Sequence, residues 1–271
     1  MNIDRIGQFR QELEAELRGN ILPYWMKFTP DRKHGGFHGE VSHFNVPLEK
    51  APKGAIMNTR ILWTFAAAHR MYPEAAYLEM AERAYHYILD HFIDREYGGV
   101  YWELDYKGNV SASRKQIYAM AFAIYAMAEY HMATGDKDAL EAAIVLFQEI
   151  EEHALDREKG GYTEALSREW KPVEDLRLSE KDDNESKTMN THLHILEAYT
   201  NLYRTWKDPR LEFALERLIL LFLDRFVDPL THHLNLFFDE NWTLKSNLVS
   251  FGHDIECAWL LHEAAEILGK P

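Results

Sequence analysis

The sequence predicts an all-α protein, a toroid of helical hairpins, and three observations carry this prediction. An Asp-Arg-x-x-Gly-Gly frame recurs at residues 31–36, 94–99 and 156–161, each copy 62 or 63 residues after the last. Helical periodicity fills the segments between the copies. These helices alternate between segments that are apolar on every face and segments that are amphipathic, which predicts an inner and an outer layer.

Each copy of the frame leads into a short alternating stretch typical of a strand. These stretches are residues 37–41, 100–104 and 162–166. A degenerate fourth copy begins at Asp228 and leads into residues 234–238. Regular spacing of this kind indicates structural repeats, so we interpret each unit as one helical hairpin followed by a long loop.

Eight helices are predicted, in four pairs. In chain order they are residues 3–26, 55–72, 74–93, 113–133, 137–153, 187–206, 209–226 and 251–268. Short links join antiparallel neighbours, so the long glycine loops should gather at one rim. Segment 117–128 is apolar on every face and is expected in the inner ring, whereas 137–153 carries acidic residues and is expected outside. An open α-solenoid uses the same pairs, and the pattern leaves both arrangements open.

Composition narrows the function. The 271 residues carry a net charge of −14, so neither nucleic acid nor an anionic membrane is an expected partner. A single cysteine, Cys257, excludes an intramolecular disulfide framework. Charged residues stand near the N-terminus where a signal peptide needs an apolar run, and we expect a cytoplasmic protein. The whole chain, 1–271, is interpreted as one domain.

Unusual polar residues begin the helices that enter from the long-loop rim. Arg60 follows one Met-Asn-Thr frame, and Asn190 lies in a second, four residues before His194 on the same helix face. His253 and Glu256 are three residues apart, so the carboxylate is expected to orient the imidazole and raise its basicity. Helix N-termini at this rim would favour an anionic oxygen. These residues form the predicted site.

Other histidines are weaker candidates. His192 should point away from His194, so we expect only His194 to act. The two rings lie roughly 200° apart on a helix, and no His-Glu-x-x-His run is present, so no metal is expected. His232 and His233 either line the pocket or belong to a turn.

Two further sets keep alternatives open. Rim carboxylates keep a glycosidase possible; they are Glu40, Glu103, Glu164 and Asp182. Four tryptophans suit either stacking on sugar faces or core packing; they are Trp63, Trp102, Trp170 and Trp242.

Five motifs carry a family resemblance. They are residues 35–40, 55–63, 115–118, 182–194 and 250–256, and over its whole length the chain resembles the N-acylglucosamine 2-epimerase family. The resemblance implies an (α/α)6 barrel, an isomerase without metal or redox cofactor, and inversion of C2 of a reducing-end sugar. It points to members that act on β-1,4-linked disaccharides, converting cellobiose to glucosyl-mannose and lactose to epilactose.

The resemblance also implies residue roles, with ring opening followed by histidine-mediated proton transfer through a cis-enediolate. Catalytic roles fall to His253 as general acid/base, Glu256 as its tuning group and His194 near C1–C2. Substrate contacts fall to Arg60 and Asn190, which hold hydroxyls and the developing oxyanion, and to Tyr118 as a pocket wall.

Length separates this chain from the family pattern. At ~62 residues per repeat, six hairpins need on the order of 370 residues, and this sequence supplies about four. The resemblance implies that the family's second acid/base histidine and its sugar-stacking tryptophans belong to the hairpins that this sequence does not supply. Three interpretations follow. The chain is the N-terminal two-thirds of such an enzyme, or another chain completes its ring through the open edges, or it is an inactive or carbohydrate-binding toroid. A related aldose–ketose isomerase is a further alternative.

Overall fold

The computed structural model describes residues 3–270, with side chains from residue 5 onward. Nine α-helices lie within this part of the chain: α1 Ile3–Glu16, α2 Leu22–Phe28, α3 Ala55–Met71, α4 Ala75–Tyr87, α5 Ile117–Thr134, α6 Lys137–Glu149, α7 Met189–Thr205, α8 Pro209–Leu221 and α9 Phe251–Leu268. A π-helical turn, Leu17–Ile21, joins α1 to α2, so this pair acts as one outer helix.

The helices form the two predicted layers. Inner helices α3, α5, α7 and α9 pack side by side in that order, and the outer helices α4, α6 and α8 pack against them. The outer helices α4, α6 and α8 each end in one π-helical turn before the long loop of their repeat: Ile88–Phe92, Ile150–Ala154 and Phe222–Phe226. The repeat seen in the sequence is thus a repeat of helical hairpins.

Burial agrees with the predicted assignment to layers. On α5, alanines at every angle of the helix are fully buried, among them Ala119, Ala121 and Ala126. Small side chains let the flanking inner helices approach α5 closely. The outer helix α6 buries only one face, which includes Leu146 and Phe147. An all-round apolar helix belongs inside and an amphipathic one outside, as the sequence predicted.

Short strands tie neighbouring hairpins together at the long-loop rim. They are β1 Lys53–Gly54, β2 Glu103–Leu104, β3 Val110–Ala112, β4 Lys115–Gln116, β5 Ala165–Leu166, β6 Lys187–Thr188 and β7 Phe237–Phe238. Antiparallel pairs join β1 to β2, β4 to β5, and β6 to β7. Because β4 and β6 occupy residues predicted as helix, α5 and α7 begin later than expected.

Each glycine loop is held by a buried lysine that the sequence analysis missed. Lys115 stands two residues before α5 and its Nζ lies 2.9 Å from Asp94, the first residue of the loop frame. Both side chains are fully buried. Lys53 holds Asp31 and Lys187 holds Asp156 in the same way, at 2.9 and 2.8 Å. The lysine fixes the loop to the start of the next inner helix.

The degenerate fourth copy uses a different anchor. Val249 stands where the other repeats have lysine. Instead, Asp254 on α9 accepts hydrogen bonds from the backbone N–H of Leu234 (2.9 Å) and from Nδ1 of His233 (2.7 Å). The fourth loop is therefore tied to its inner helix from the helix side.

Apolar side chains are exposed on the first and last helices. Ile6, Phe9 and Leu13 of α1 are at least half exposed, and Phe251 and Ile255 of α9 are each 73% exposed. Self-association through these edges stays a prediction. Within residues 3–270, the structure contains no helix that meets the length and hydropathy needed to span a membrane.

Candidate active site

Four side chains form one layer just below the long-loop rim. Arg60, Phe122, His194 and Glu256 are each the sixth residue of their inner helix. The guanidinium of Arg60 lies 4.4 Å from the centre of the Phe122 ring, and that ring lies 4.6 Å from the His194 imidazole. Equivalent positions on aligned helices thus bring a cation, an aromatic ring and an imidazole together.

Tyr118 lies one turn above this layer, as the second residue of α5. Its hydroxyl accepts a hydrogen bond from Nη2 of Arg60 at 3.2 Å, and its ring packs edge-on to His194 at 4.9 Å. Burial raises the pKa of the Tyr118 phenol; Arg60 opposes this and the charge of Glu256 adds to it. The phenol therefore stays protonated and serves as a fixed polar wall.

His194 is held by Glu197 on the same helix. Its Nδ1 lies 2.8 Å from Oε2 of Glu197, and the imidazole is only 6% exposed. An ionised carboxylate only accepts, so Nδ1 is the donor and Nε2 is left for other chemistry. The sequence placed Asn190 and His194 on one face, but the hydrogen-bonding partner of His194 is Glu197.

Asn190 and His253 line one small cavity. Its volume is about 80 Å³, and Glu164 and Asp182 also line it. The Oδ1 atom of Asn190 is buried and has no hydrogen-bonding partner among residues 3–270. A buried amide oxygen in this state is costly unless a ligand hydroxyl satisfies it.

His253 has a different partner from the one the sequence suggested. Its Nδ1 lies 2.8 Å from Oγ of Ser250, which precedes α9, and not against Glu256. A hydroxyl and a ring nitrogen in this geometry hold the imidazole orientation without adding a negative charge. Glu256 instead acts on Tyr118 through its charge.

A larger cavity opens on the other side of Arg60. It measures about 710 Å³ and is bounded by α2, α3 and the strand β2. Trp25, Met57 and Trp102 supply apolar walls, and Arg60 and Glu103 supply charge. Apolar and aromatic walls with few polar groups are typical of small-ligand sites.

The rim carboxylates have separate hydrogen-bonding partners, although Glu164 and Asp182 line the same small cavity. Glu164 is fully buried and its carboxylate accepts hydrogen bonds from α7, whereas Glu40 is exposed. Glu103 accepts a hydrogen bond from Ser111, and Asp182 accepts one from the Ser179 hydroxyl.

Two of the candidate tryptophans hold loops. The Nε1 atoms of Trp170 and Trp242 donate to the carbonyls of Tyr97 and Lys159. A Cβ atom on Gly161, whose φ is +78°, would lie 2.6 Å from the Trp242 ring. These rings therefore require glycine beneath them and are not available to stack on a sugar. Trp102 lines the large cavity.

The remaining histidines have structural contacts. His192 is fully buried, with Nδ1 at 2.6 Å from the Thr188 carbonyl oxygen and Nε2 accepting the Tyr162 N–H at 2.8 Å. Burial lowers the pKa of His192 to about 4, so it is neutral. His232 has a φ of 62° in a turn, and His233 contacts Asp254. No cluster of three or more metal-ligating side chains occurs within residues 3–270.

Sequence reasoning missed three residues of the site. Phe122 looked like part of a uniformly apolar helix, and only its repeat position shared with Arg60 could have identified it. Glu197 follows His194 by three residues, the spacing that the sequence analysis had weighed for His253. Ser250 is the residue before α9 and carries no pattern of its own.

Comparisons with known proteins give one matching family and several similar proteins. Residues 35–270 match the family described as N-acylglucosamine 2-epimerase (GlcNAc 2-epimerase). A cellobiose 2-epimerase from Bacteroides fragilis is 56% identical over 260 residues, covering 96% of this chain and 66% of that protein. The solved cellobiose 2-epimerase from Bacillus thermoamylovorans superposes with a TM-score of 0.93 at 40% identity, covering 97% of this chain and 68% of that one. This chain therefore spans about two-thirds of the length of these relatives.

Proposed function

Because this chain belongs to the N-acylglucosamine 2-epimerase family, we propose that its rim site inverts C2 of the reducing-end sugar of a β-1,4-linked disaccharide. The observation that carries the proposal is the contact chain from Arg60 through Tyr118 to His194, with the imidazole held by Glu197. It sets a cation beside an imidazole that has one nitrogen fixed by a carboxylate. Proton transfer next to a carbonyl needs both groups.

The reaction begins with opening of the sugar ring, which exposes an aldehyde at C1. His253 removes the acidified C2 proton, and electrons move onto the carbonyl oxygen to give a cis-enediolate. Rotation about C2–C3 presents the opposite face, where a second acid/base histidine, which the resemblance places in the part of the relatives that this chain does not span, returns a proton. An imidazole accepts and returns protons near neutral pH, so this chemistry needs no metal.

The enediolate must be stabilised while it exists. Arg60 supplies a fixed positive charge for the developing oxygen anion, and its contacts with Phe122 and Tyr118 hold it in place. The unsatisfied Oδ1 of Asn190 accepts a sugar hydroxyl. His194, with Nδ1 committed to Glu197, exchanges protons with O1 or O2 through Nε2.

The name of the two compared relatives supports cellobiose as the first substrate to test. Cellobiose is incubated with the chain, and the products are separated and identified by NMR. The proposal expects 4-O-glucosyl-mannose. A ketose would indicate that the enediolate is reprotonated at C1, and free glucose would indicate hydrolysis; either product in place of the epimer contradicts the proposal.

If the chain is instead a carbohydrate-binding toroid, it should bind cellobiose without converting it. Calorimetric titration of cellobiose into the same preparation detects it. The variant Arg60→Ala serves as the control, since it removes the cation that is proposed to stabilise the enediolate oxygen. The proposal expects this variant to lose product formation by about 10²-fold or more.

A further inference from the structure

Glu164 is a buried carboxylate that the reaction described above does not use. It lies one residue before β5 and is 2% exposed. It lines the small cavity with Asn190 and His253, but its carboxylate oxygens are hydrogen-bonded within the protein. One oxygen accepts hydrogen bonds from Thr188, the residue before α7, and the other accepts one from Thr191 of α7.

The contacts of Glu164 reach two inner helices. Its Oε1 accepts the backbone N–H of Thr188 at 3.0 Å and the Thr188 hydroxyl at 2.8 Å, and its Oε2 accepts the Thr191 hydroxyl at 2.6 Å. Its backbone carbonyl accepts the N–H of Ile117, the first residue of α5, at 3.0 Å. One residue therefore bonds the starts of α5 and α7.

These two helix starts carry the predicted site. Tyr118 follows Ile117 on α5, and Asn190 of α7 lies between Thr188, which precedes the helix, and Thr191. His194 follows one turn later. We therefore expect a change in the carboxylate to shift Asn190 and His194 relative to Tyr118.

The arrangement is also electrostatically specific. Glu164 has no salt-bridge partner among the described residues, and burial raises the pKa of its carboxyl to about 7. The three hydrogen bonds at the start of α7 oppose this rise because they stabilise the charged form. Carboxylates are stabilised at helix N-termini, where free N–H groups point outward. A neutral amide has the same shape but turns one acceptor into a donor, which the Thr191 hydroxyl proton cannot use.

We propose that Glu164 is a positioning residue for the epimerase site, which sets Asn190 and His194 of α7 against Tyr118 of α5 through one buried carboxylate. The proposal rests on the proposed function for its kinetic consequence. Its geometric consequence, the placement of His194, is independent of turnover.

The test compares Glu164→Gln with Glu129→Gln. Glu129 is 1% exposed and joins α3 to α7 at the opposite end of α5, where it accepts hydrogen bonds from Arg70 and Asn201. The two variants make the same chemical change at equal burial, one beside the site and one far from it. The readouts are kcat and KM for cellobiose, and the His194 imidazole signals in NMR of chain labelled at histidine.

The proposal expects Glu164→Gln to lower kcat about tenfold or more and to shift the His194 signals. Glu129→Gln should lower the thermal midpoint without changing either readout. Unchanged kcat and unchanged His194 signals in a folded Glu164→Gln chain would overturn the proposal. If wild-type chain shows no turnover, the proposed function fails, and the His194 signals alone decide the role of Glu164.

Thr191→Val provides a second variant if Glu164→Gln does not fold. It removes only the 2.6 Å hydrogen bond to Oε2 and keeps the side-chain shape. The His194 signals should move in this variant as well. A folded Thr191→Val chain with wild-type His194 signals contradicts the proposal.

Discussion

The Nδ1 atom of His194 lies 2.8 Å from Oε2 of Glu197, one turn further along the same inner helix. Both side chains are largely buried. The pair fixes which nitrogen of the imidazole holds a proton and which faces the rest of the site. Glu197 thus orients His194 in the way that the sequence analysis had expected Glu256 to orient His253.

Replacing Glu197 by Gln should disorder the imidazole proton. The amide can donate to Nδ1 as well as accept from it, so both tautomers become accessible. We expect kcat for cellobiose to fall about 10-fold to 10²-fold with little change in the thermal midpoint. Steady-state kinetics measure this. Glu263→Gln, a surface acid on α9 paired with Arg204, is the control and should keep full activity.

His253 and Ser250 should differ sharply in their effect. His253→Ala removes the proposed acid/base group, and we expect loss of product formation below detection. Ser250→Ala removes only the hydroxyl at 2.8 Å, and a smaller loss is expected. Rates of epimer formation for the two variants measure this. Full activity of the His253→Ala chain would refute the role given to that residue.

His192 should make the fold sensitive to acid. Burial lowers its pKa from 6.5 to about 4, so between these values the unfolded chain binds more protons than the folded chain. The contribution of His192 to the free energy of unfolding therefore falls as pH drops from about 6.5 to 4, whereas Glu149 and Glu164, whose pKa burial raises to about 7, contribute with the opposite sign. Because His192→Gln removes only the contribution of His192, urea unfolding should show that the wild-type chain loses stability relative to this variant between pH 7 and pH 4.5.

His192→Gln should also cost stability at pH 7. It disturbs the hydrogen bonds to the Thr188 carbonyl and the Tyr162 N–H, both of them buried. The expected loss is about 1–3 kcal/mol in the free energy of unfolding. An equal pH dependence in variant and wild type would show that another group causes the acid sensitivity.

Replacing the aspartate that a buried lysine contacts in a glycine loop should greatly lower the free energy of unfolding. Asp94→Asn leaves Lys115 buried without its carboxylate and removes the partner of Arg168 as well. Breaking a buried ion pair from one side costs about 3–5 kcal/mol. Chemical denaturation measures it. Glu96→Gln, which breaks only the exposed contact of Arg168, should lie within about 1 kcal/mol of wild type.

The architecture could be predicted because the amino-acid sequence itself contains the repeat. The Asp-Arg-x-x-Gly-Gly frame and the all-apolar segment 117–128 indicated hairpins and their layers, and the structure confirms both. Helix starts were less accessible, since residues 115–116 and 187–188 pair across hairpins as strands. No local pattern distinguishes them from a first helical turn.

The site was predicted in position more than in pairing. Arg60 and His194 occupy equivalent positions of their helices, which the rim argument and the resemblance both indicated, and Tyr118, which only the resemblance indicated, contacts both from one turn above. Which acid holds which imidazole depends on side-chain rotamers and on neighbouring helices. That is why spacing alone suggested Glu256 for His253 where the structure has Ser250.

The incorporation of solvent deuterium at C2 tests the account most directly. The chain is incubated with cellobiose in D2O, and the recovered sugars are examined by NMR. Proton transfer through an enediolate predicts deuterium at C2 of 4-O-glucosyl-mannose, and its absence from the Arg60→Ala reaction. Epimer formed with its C2 hydrogen retained from the substrate, or wild-type chain that forms no epimer, would contradict the account.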